Sequence, residues 1–209
     1  MADNNFTISF EGIEGYTGPM EGAGGLVPFQ GLTYGEIVSI TPGVSQSEAK
    51  NHTLKFEIMI TEPEGKGFKV SKTQAVSGLR KDKKPNALGL IDIFYSVYSS
   101  GAKTNEEALA KARAHEGTSI DVEGIRAEMV GQKVYFSVKA RKYINKDTGR
   151  EGWTSDLDNF IGRFRYDEAK AANVHHRPNP EESARTTESV APAVVSNGAA
   201  KAGSARSVL

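Results

Sequence analysis

Cysteine is absent from this chain of 209 residues, which excludes disulfide bonds and thiolate metal ligands. No run of about 18 apolar residues is present either, so we expect no membrane-spanning helix and no membrane partner. The opening residues, MADNNFTISFEG, have neither the basic start nor the apolar stretch of a secretory signal. Together these absences favour a protein of a reducing compartment such as a cytoplasm.

Catalytic motifs are missing as well. The sequence contains no G-x-S-x-G elbow, no glycine-rich phosphate loop ending in Gly-Lys-Ser/Thr, no H-E-x-x-H and no dinucleotide fingerprint. Asp156 and Asp158 alternate and would suit a divalent cation, but we interpret them as solvated partners of Arg163 or Arg165, because no third acid accompanies them at a recognisable spacing. We therefore predict that the protein is not an enzyme and needs no cofactor.

Aromatic residues are absent after Val174, and residues 177–209 consist largely of Pro, Ser, Ala, Glu, Thr and Gly. Such a segment buries too little apolar surface to offset its ordering entropy. We therefore predict a disordered tail over residues 175–209. His175 and His176 begin it, and adjacent histidines in that setting are usually surface residues, so we predict no metal site.

A formal net charge of zero hides an uneven distribution. Residues 1–30 carry four acids and no Lys or Arg, and their many glycines predict a flexible arm. Residues 66–84 hold seven cations against one acid, and residues 133–150 hold six against one. Paired basic clusters are typical of nucleic-acid binding, although a charge run is more often a solvated loop.

Alternating apolar residues predict five strands in residues 31–174. The predicted strands are Leu32–Ile40, Thr53–Thr61, Phe68–Val76, a fourth that begins at Lys133, and a fifth within Gly152–Phe164. Turns are predicted at Thr41–Gly43, Glu62–Gly65 and Asn145–Gly149, and FTISF near the start predicts a further short strand.

Helical patterns separate the third strand from the fourth. They comprise the apolar segment Ala87–Ser100 ended by Gly101, a capped helix that begins at Thr104, and a short helix or turn over Val122–Val130. One or two helical turns are predicted later, over Asp167–Asn173. The composition of the first also permits a strand. Five strands with a helical insertion describe a mainly β (α+β) domain, an OB-type Greek-key barrel over residues 31–174.

The fourth strand carries the strongest functional pattern. Its even positions, such as Val134 and Phe136, are apolar and predict a core face, whereas its odd positions include Tyr135, Lys139 and Arg141. Rings that stack on bases and cations that hold phosphates are what an unpaired nucleic-acid strand requires. The alternative is an edge strand whose cations block aggregation and whose tyrosines pack.

We predict a DNA-binding site with three kinds of residue. Bases stack on Tyr135, Tyr143 and Trp153, although Trp153 is equally suited to packing over the hairpin. Phosphates contact Lys139, Arg141, Lys69 and Lys72. Loop cations line the ends of the groove, and these are Arg80, Lys81, Lys83, Lys84, Lys146 and Arg150.

Roughly residues 6–166 resemble phage-encoded single-stranded DNA-binding proteins with an OB-type core. The stretches that carry the resemblance are FTISFEGIEG, GLTYGEIVSITPGVSQS, HTLKFEIMITEPEGKGFKV, ALGLIDIFYSVYSSG and MVGQKVYFSVKARKYINKDTGREGW. The resemblance implies sequence-tolerant binding of single-stranded DNA during phage replication or recombination, in the cytoplasm of the bacterial host, with enzymes of those processes as partners. A homo-oligomer is compatible with it. Many such proteins end in an acidic tail, whereas residues 167–209 here carry five acids and five Lys or Arg and are neutral.

A different class of function is also open. Glycine-rich arms and β-barrels occur in structural proteins of virus particles, such as tail or decoration components. A protein of that class would assemble, or bind a capsid partner, without regard to oligonucleotides.

Overall fold

The computed structural model describes residues 6–11, 30–144 and 151–178. Within these ranges the strands are β1 (Thr7–Ser9), β2 (Gln30–Val44), β3 (His52–Ile60), β4 (Lys69–Ala75), β5 (Ser119–Asp121), β6 (Lys133–Ile144), β7 (Glu151–Ile161) and β8 (His176–Arg177). The helices are α1 (Leu88–Gly101), α2 (Asn105–Arg113), α3 (Val122–Met129) and α4 (Arg163–Ala171). The predicted turn at Asn145–Gly149, and most of the predicted arm and tail, lie outside the described residues.

An antiparallel sheet of order β4-β3-β2-β6-β7 dominates the structure, and β8 adds to β2. Strands β1 and β5 form a separate two-stranded sheet. The edge strands β4 and β7 lie next to each other, but no ladder joins them among the described residues, so the sheet does not close into a barrel there. A mainly β class with inserted helices is therefore confirmed.

The two halves of β2 pair with different strands. It pairs with β6 over residues 31–36 and with β3 over residues 35–44, and a bulge interrupts the second ladder after Ile37. This offset coils the sheet and brings its edge strands together. At the overlap, a Cβ on Gly35 would collide with the carbonyl oxygen of Met59 and lie 2.9 Å from Cγ2 of Ile58.

The predicted turn at Thr41–Gly43 is wrong, because β2 continues through it to Val44. Proline normally interrupts a sheet, since it donates no backbone hydrogen bond. Pro42 is tolerated here because only β3 pairs with this half of β2.

The inward faces of the strands follow the predicted alternation. Alternation places every second residue of β3 and β6 on one face, and the apolar residues at those positions are all buried: Leu54, Phe56, Ile58, Ile60, Val134, Phe136, Val138 and Ala140. Helix α1 covers this face with a nearly continuous buried surface that includes Ile91 and Phe94. The composition of Ala87–Ser100 permits a helix or a strand, and the helix is confirmed.

Helix boundaries agree with the prediction in part. Thr104 caps α2, and its hydroxyl accepts a hydrogen bond of 3.2 Å from the Glu107 amide. Gly101 is the last residue of α1 and not its cap, because the helix is followed directly by the extended Ala102. Helix α4 starts at Arg163, four residues before the predicted Asp167. The additional turn contains Tyr166, whose ring lies against that of the predicted site residue Tyr135.

No helix within the described ranges is long and apolar enough to cross a membrane. The longest, α1, has 14 residues.

Gly35→Ala tests the constraint on β2. The added methyl group has no room between β2 and β3, so we expect the free energy of unfolding to fall by about 1–3 kcal/mol, as overpacked cores do. Gly101→Ala is the control, because nothing lies within 4 Å of its Cβ position and alanine favours a helix. Urea denaturation of both variants measures the difference, and equal stabilities would contradict the constraint.

Candidate nucleic-acid interface

Tyr135 does not lie on an open surface. Its exposed fraction is 4%, and its ring centroid lies 5.7 Å from that of Tyr34 and 5.4 Å from that of Tyr166. Tyr166 belongs to α4, which covers this part of β6. The prediction of an exposed stacking ring at Tyr135 is therefore wrong, because a helix packs on the face that alternation alone assigns to solvent.

Lys139 and Arg141 do face outward, but both are paired across the hairpin. Lys139 forms an ion pair with Asp158, and the Arg141 Nε lies 2.9 Å from Asp156 Oδ2. The two aspartates thus pair with β6 and not with the arginines predicted from sequence. The Arg141 side chain is 67% exposed and a surface ion pair contributes only about 0–1 kcal/mol, so a phosphate would compete for Arg141 at modest cost, whereas Asp158 beside Lys139 is only 15% exposed.

Lys72 lies at the seam between the two edge strands and not on an open face. Its ammonium group donates a hydrogen bond to the backbone carbonyl of Asp158 on β7. Burial lowers the pKa of Lys72, and the Asp158 charge opposes that effect. This lysine ties β4 to β7 where no ladder does, so its position is structural.

The predicted stacking residues of the β6–β7 hairpin are Tyr143 and Trp153. Trp153 is half-buried and packs against the main core. The register pairs it with Lys142, while Tyr143 pairs with Gly152, and successive positions alternate between the faces of a strand. The side chain of Tyr143 lies outside the described residues, so its predicted stacking beside Trp153 stays a prediction.

Of the remaining predicted phosphate-binding cations outside the basic loop, Lys69 lies within the described residues. Lys69 is exposed at the start of β4, opposite Met59 of β3, where its charge contributes to lowering the pKa of Glu57 after the hydrogen bonds from Lys55 and Ser39. Lys146 and Arg150 lie outside the described residues.

The basic loop, residues 80–86, is an ordered turn. An isolated bridge between Leu79 and Pro85 closes it, and the Arg80 amide donates to the Lys84 carbonyl at 2.7 Å. All four of its cations are exposed, and these are Arg80, Lys81, Lys83 and Lys84. Its single acid, Asp82, approaches the Arg80 guanidinium only at 3.9 Å. The loop therefore presents a local excess of positive charge on a fixed backbone.

An open groove of about 490 Å³ lies beside the basic loop, between β1 and the residues that follow β4. At its rim the rings of Phe6 and His52 stack with centroids 4.4 Å apart. Leu79, the residue before the loop, also lines the groove and is 66% exposed. The lining thus combines flat rings and an apolar side chain with one acid, Glu11, and the cations of the basic loop follow Leu79 along the chain.

Sequence reasoning missed this groove. Phe6 belongs to the segment interpreted as an arm, and the pairing of β1 with β5 fixes that segment against the domain. The neighbouring Ile8 and Phe10 are buried in the core. The one local signal was the strand pattern of FTISF, which indicates order but not where the strand pairs.

Comparison with known protein families matches no family model, and no curated protein matches the chain in sequence. Function is therefore inferred from the geometry and charge of the described residues.

Tyr135→Ala separates packing from stacking. We expect the free energy of unfolding to fall by about 3–5 kcal/mol, as for other buried aromatic residues, because the cluster of Tyr34, Tyr135 and Tyr166 loses its central ring. Tyr135→Phe keeps the ring and should lose much less. Urea denaturation measures both, and an alanine variant as stable as the unchanged protein would show that the ring is not core.

Proposed function

We propose that this protein binds single-stranded DNA with little sequence preference, and that the basic loop and the adjacent groove form the centre of the interface. The observation that carries the proposal is a loop of four exposed cations whose neighbours Leu79 and Pro85 line an open groove, where the rings of Phe6 and His52 stack. Cations that track phosphates beside rings that stack on bases are the physical basis of single-strand binding.

The connectivity of the sheet supports an OB-type core. If β2, β3, β4, β6 and β7 are numbered one to five along the chain, their order across the sheet is 3-2-1-4-5. Helices α1, α2 and α3 lie between strands three and four of this numbering. The first and last positions are adjacent in space, as in a partly open Greek-key barrel, a fold that binds oligonucleotides through its strands and loops.

Single strands fit this interface better than duplex. A base in a duplex has both faces covered by its neighbours, so it cannot stack on Phe6 or His52, whereas an unpaired base can enter the groove. The hairpin cations Lys139 and Arg141 would extend the contact along the DNA backbone by exchanging their ion pairs with Asp158 and Asp156 for phosphates. A role in phage replication or recombination, with enzymes of those processes as partners, follows from the sequence resemblance.

Binding itself is tested by fluorescence anisotropy with an oligothymidylate longer than the roughly 4–16 nucleotides that one OB-type domain covers. We expect single-stranded DNA to bind more tightly than duplex, with affinity that falls steeply between about 50 and 200 mM salt. RNA of the same length measures the preference between the two nucleic acids. Absence of binding at the lower salt would overturn the proposal and favour the virion structural alternative.

Lys81→Gln combined with Lys84→Gln tests the basic loop. Because each lost phosphate contact removes about 0.7 from the slope of log affinity against log salt, we expect weaker binding and a shallower slope. The charge-matched control is Lys103→Gln with Lys111→Gln, at two exposed lysines at and near α2. If both double variants lose affinity equally, the effect is general charge and the loop is not the site.

Phe6→Leu with His52→Ala tests the groove. Leucine keeps apolar contact with the core while it removes the flat ring, so we expect binding to weaken by about 1–3 kcal/mol per lost stack with little change in melting temperature. Phe68→Ser is the control, because this phenylalanine is 51% exposed at the opposite end of the β3–β4 hairpin. Unchanged affinity in the groove variant would place the bases elsewhere.

A further inference from the structure

A fully buried carboxylate lies where β3 ends. Glu62 has an exposed fraction of 0%. Its Oε1 accepts a hydrogen bond from the Tyr166 hydroxyl and lies 3.5 Å from the Lys170 ammonium, while its Oε2 lies 3.3 Å from Nε2 of His176. Burial acts to raise the pKa of Glu62, but the hydrogen bonds from His176 and Tyr166 outweigh it and hold this pKa at about 2.

Two histidines are fixed beside this carboxylate by the backbone. The Leu32 amide donates to the His175 carbonyl at 2.8 Å, and β8 pairs Gly31 with His176. Gly31 has a φ of +129°, and any Cβ there would collide with the His175 carbonyl oxygen. The pair is therefore held against β2 and is half-buried, which corrects its interpretation as exposed residues of a tail.

One nitrogen of this cluster has no partner. Nδ1 of His175 is buried and makes no hydrogen bond within the described residues. A buried imidazole nitrogen without a partner carries a cost of desolvation. A metal ion is one species that would satisfy it, because neutral imidazole nitrogen is a metal ligand.

We propose that Glu62, His175 and His176 form a binding site for a divalent transition metal of the zinc class. Each of the three residues offers a ligand atom, and these atoms lie within 4.8 Å of one another. Two imidazoles and one carboxylate are a known zinc ligand set that leaves one position open. The ligand atoms must close to about 3.4 Å apart for tetrahedral bonds of roughly 2.0–2.2 Å, a movement that side-chain rotation supplies.

The surrounding residues fit such a site. Tyr166 would keep its hydrogen bond to Oε1 and so orient the carboxylate, as outer partners of metal ligands do. Lys170, whose ammonium lies 3.5 Å from Glu62, has a side chain 49% exposed and can turn towards solvent when the metal enters. The metal would join the end of β3 to β8, and so anchor the chain after α4.

Cobalt and zinc titrations of untagged, chelator-treated protein test the site without DNA, so the result is independent of the proposed function. We expect one equivalent of Co²⁺ to give visible absorption bands of tetrahedral coordination, and Zn²⁺, but not Mg²⁺, to raise the melting temperature by mass action. His175→Ala removes the unpartnered ligand and no hydrogen bond of that nitrogen, so it should fold and lose metal affinity by more than about tenfold.

Glu62→Gln should lose metal binding as well, and Glu64→Gln, at an exposed acid two residues away, should retain it. Should the unchanged protein show neither cobalt bands nor a zinc-dependent shift, the site does not exist. Equal zinc shifts in the unchanged protein and in His175→Ala would also overturn it, since they would place the metal on other groups.

Discussion

The offset pairing of β2 is the constraint on which the rest of the structure depends. Because one half of this strand pairs with β6 and the other with β3, the sheet must coil, and its edges β4 and β7 meet. That meeting places the Lys72 ammonium against the β7 backbone and leaves one concave side for α1 to fill. A flat sheet of the same strands would leave the apolar faces of β3 and β6 without a common core.

The coiled sheet also determines which cations remain available. In the β6–β7 hairpin, cations of β6 form ion pairs with acids of β7, as Arg141 does with Asp156. The basic loop has no such facing strand, so its charge stays unbalanced. The hairpin cations Lys139 and Arg141 face acids on the returning strand, whereas the loop has one acid for four cations, and a count of charges along residues 133–150 does not reveal this difference.

Local patterns predicted what local forces determine. Alternation identified the buried residues of β3 and β6, and the Thr104 cap was read from four residues, because burial and capping depend on near neighbours. Tyr135 was misplaced because its environment is set by α4, about 30 residues further along the chain. Phe6 and His52 are 46 positions apart and meet through tertiary packing of the β1 segment, so no spacing in the sequence could have joined them.

The position of β8 has a consequence for the ends of the domain. Gln30 pairs with Arg177, and its side-chain amide donates to the Pro178 carbonyl at 2.9 Å. The acidic stretch before Gln30 and the neutral stretch after Pro178 are thus joined to the domain at one shared point, and β1 fixes the acidic stretch at its other end as well. A fluorophore attached at Pro178 would therefore report on the pairing of β8 with β2.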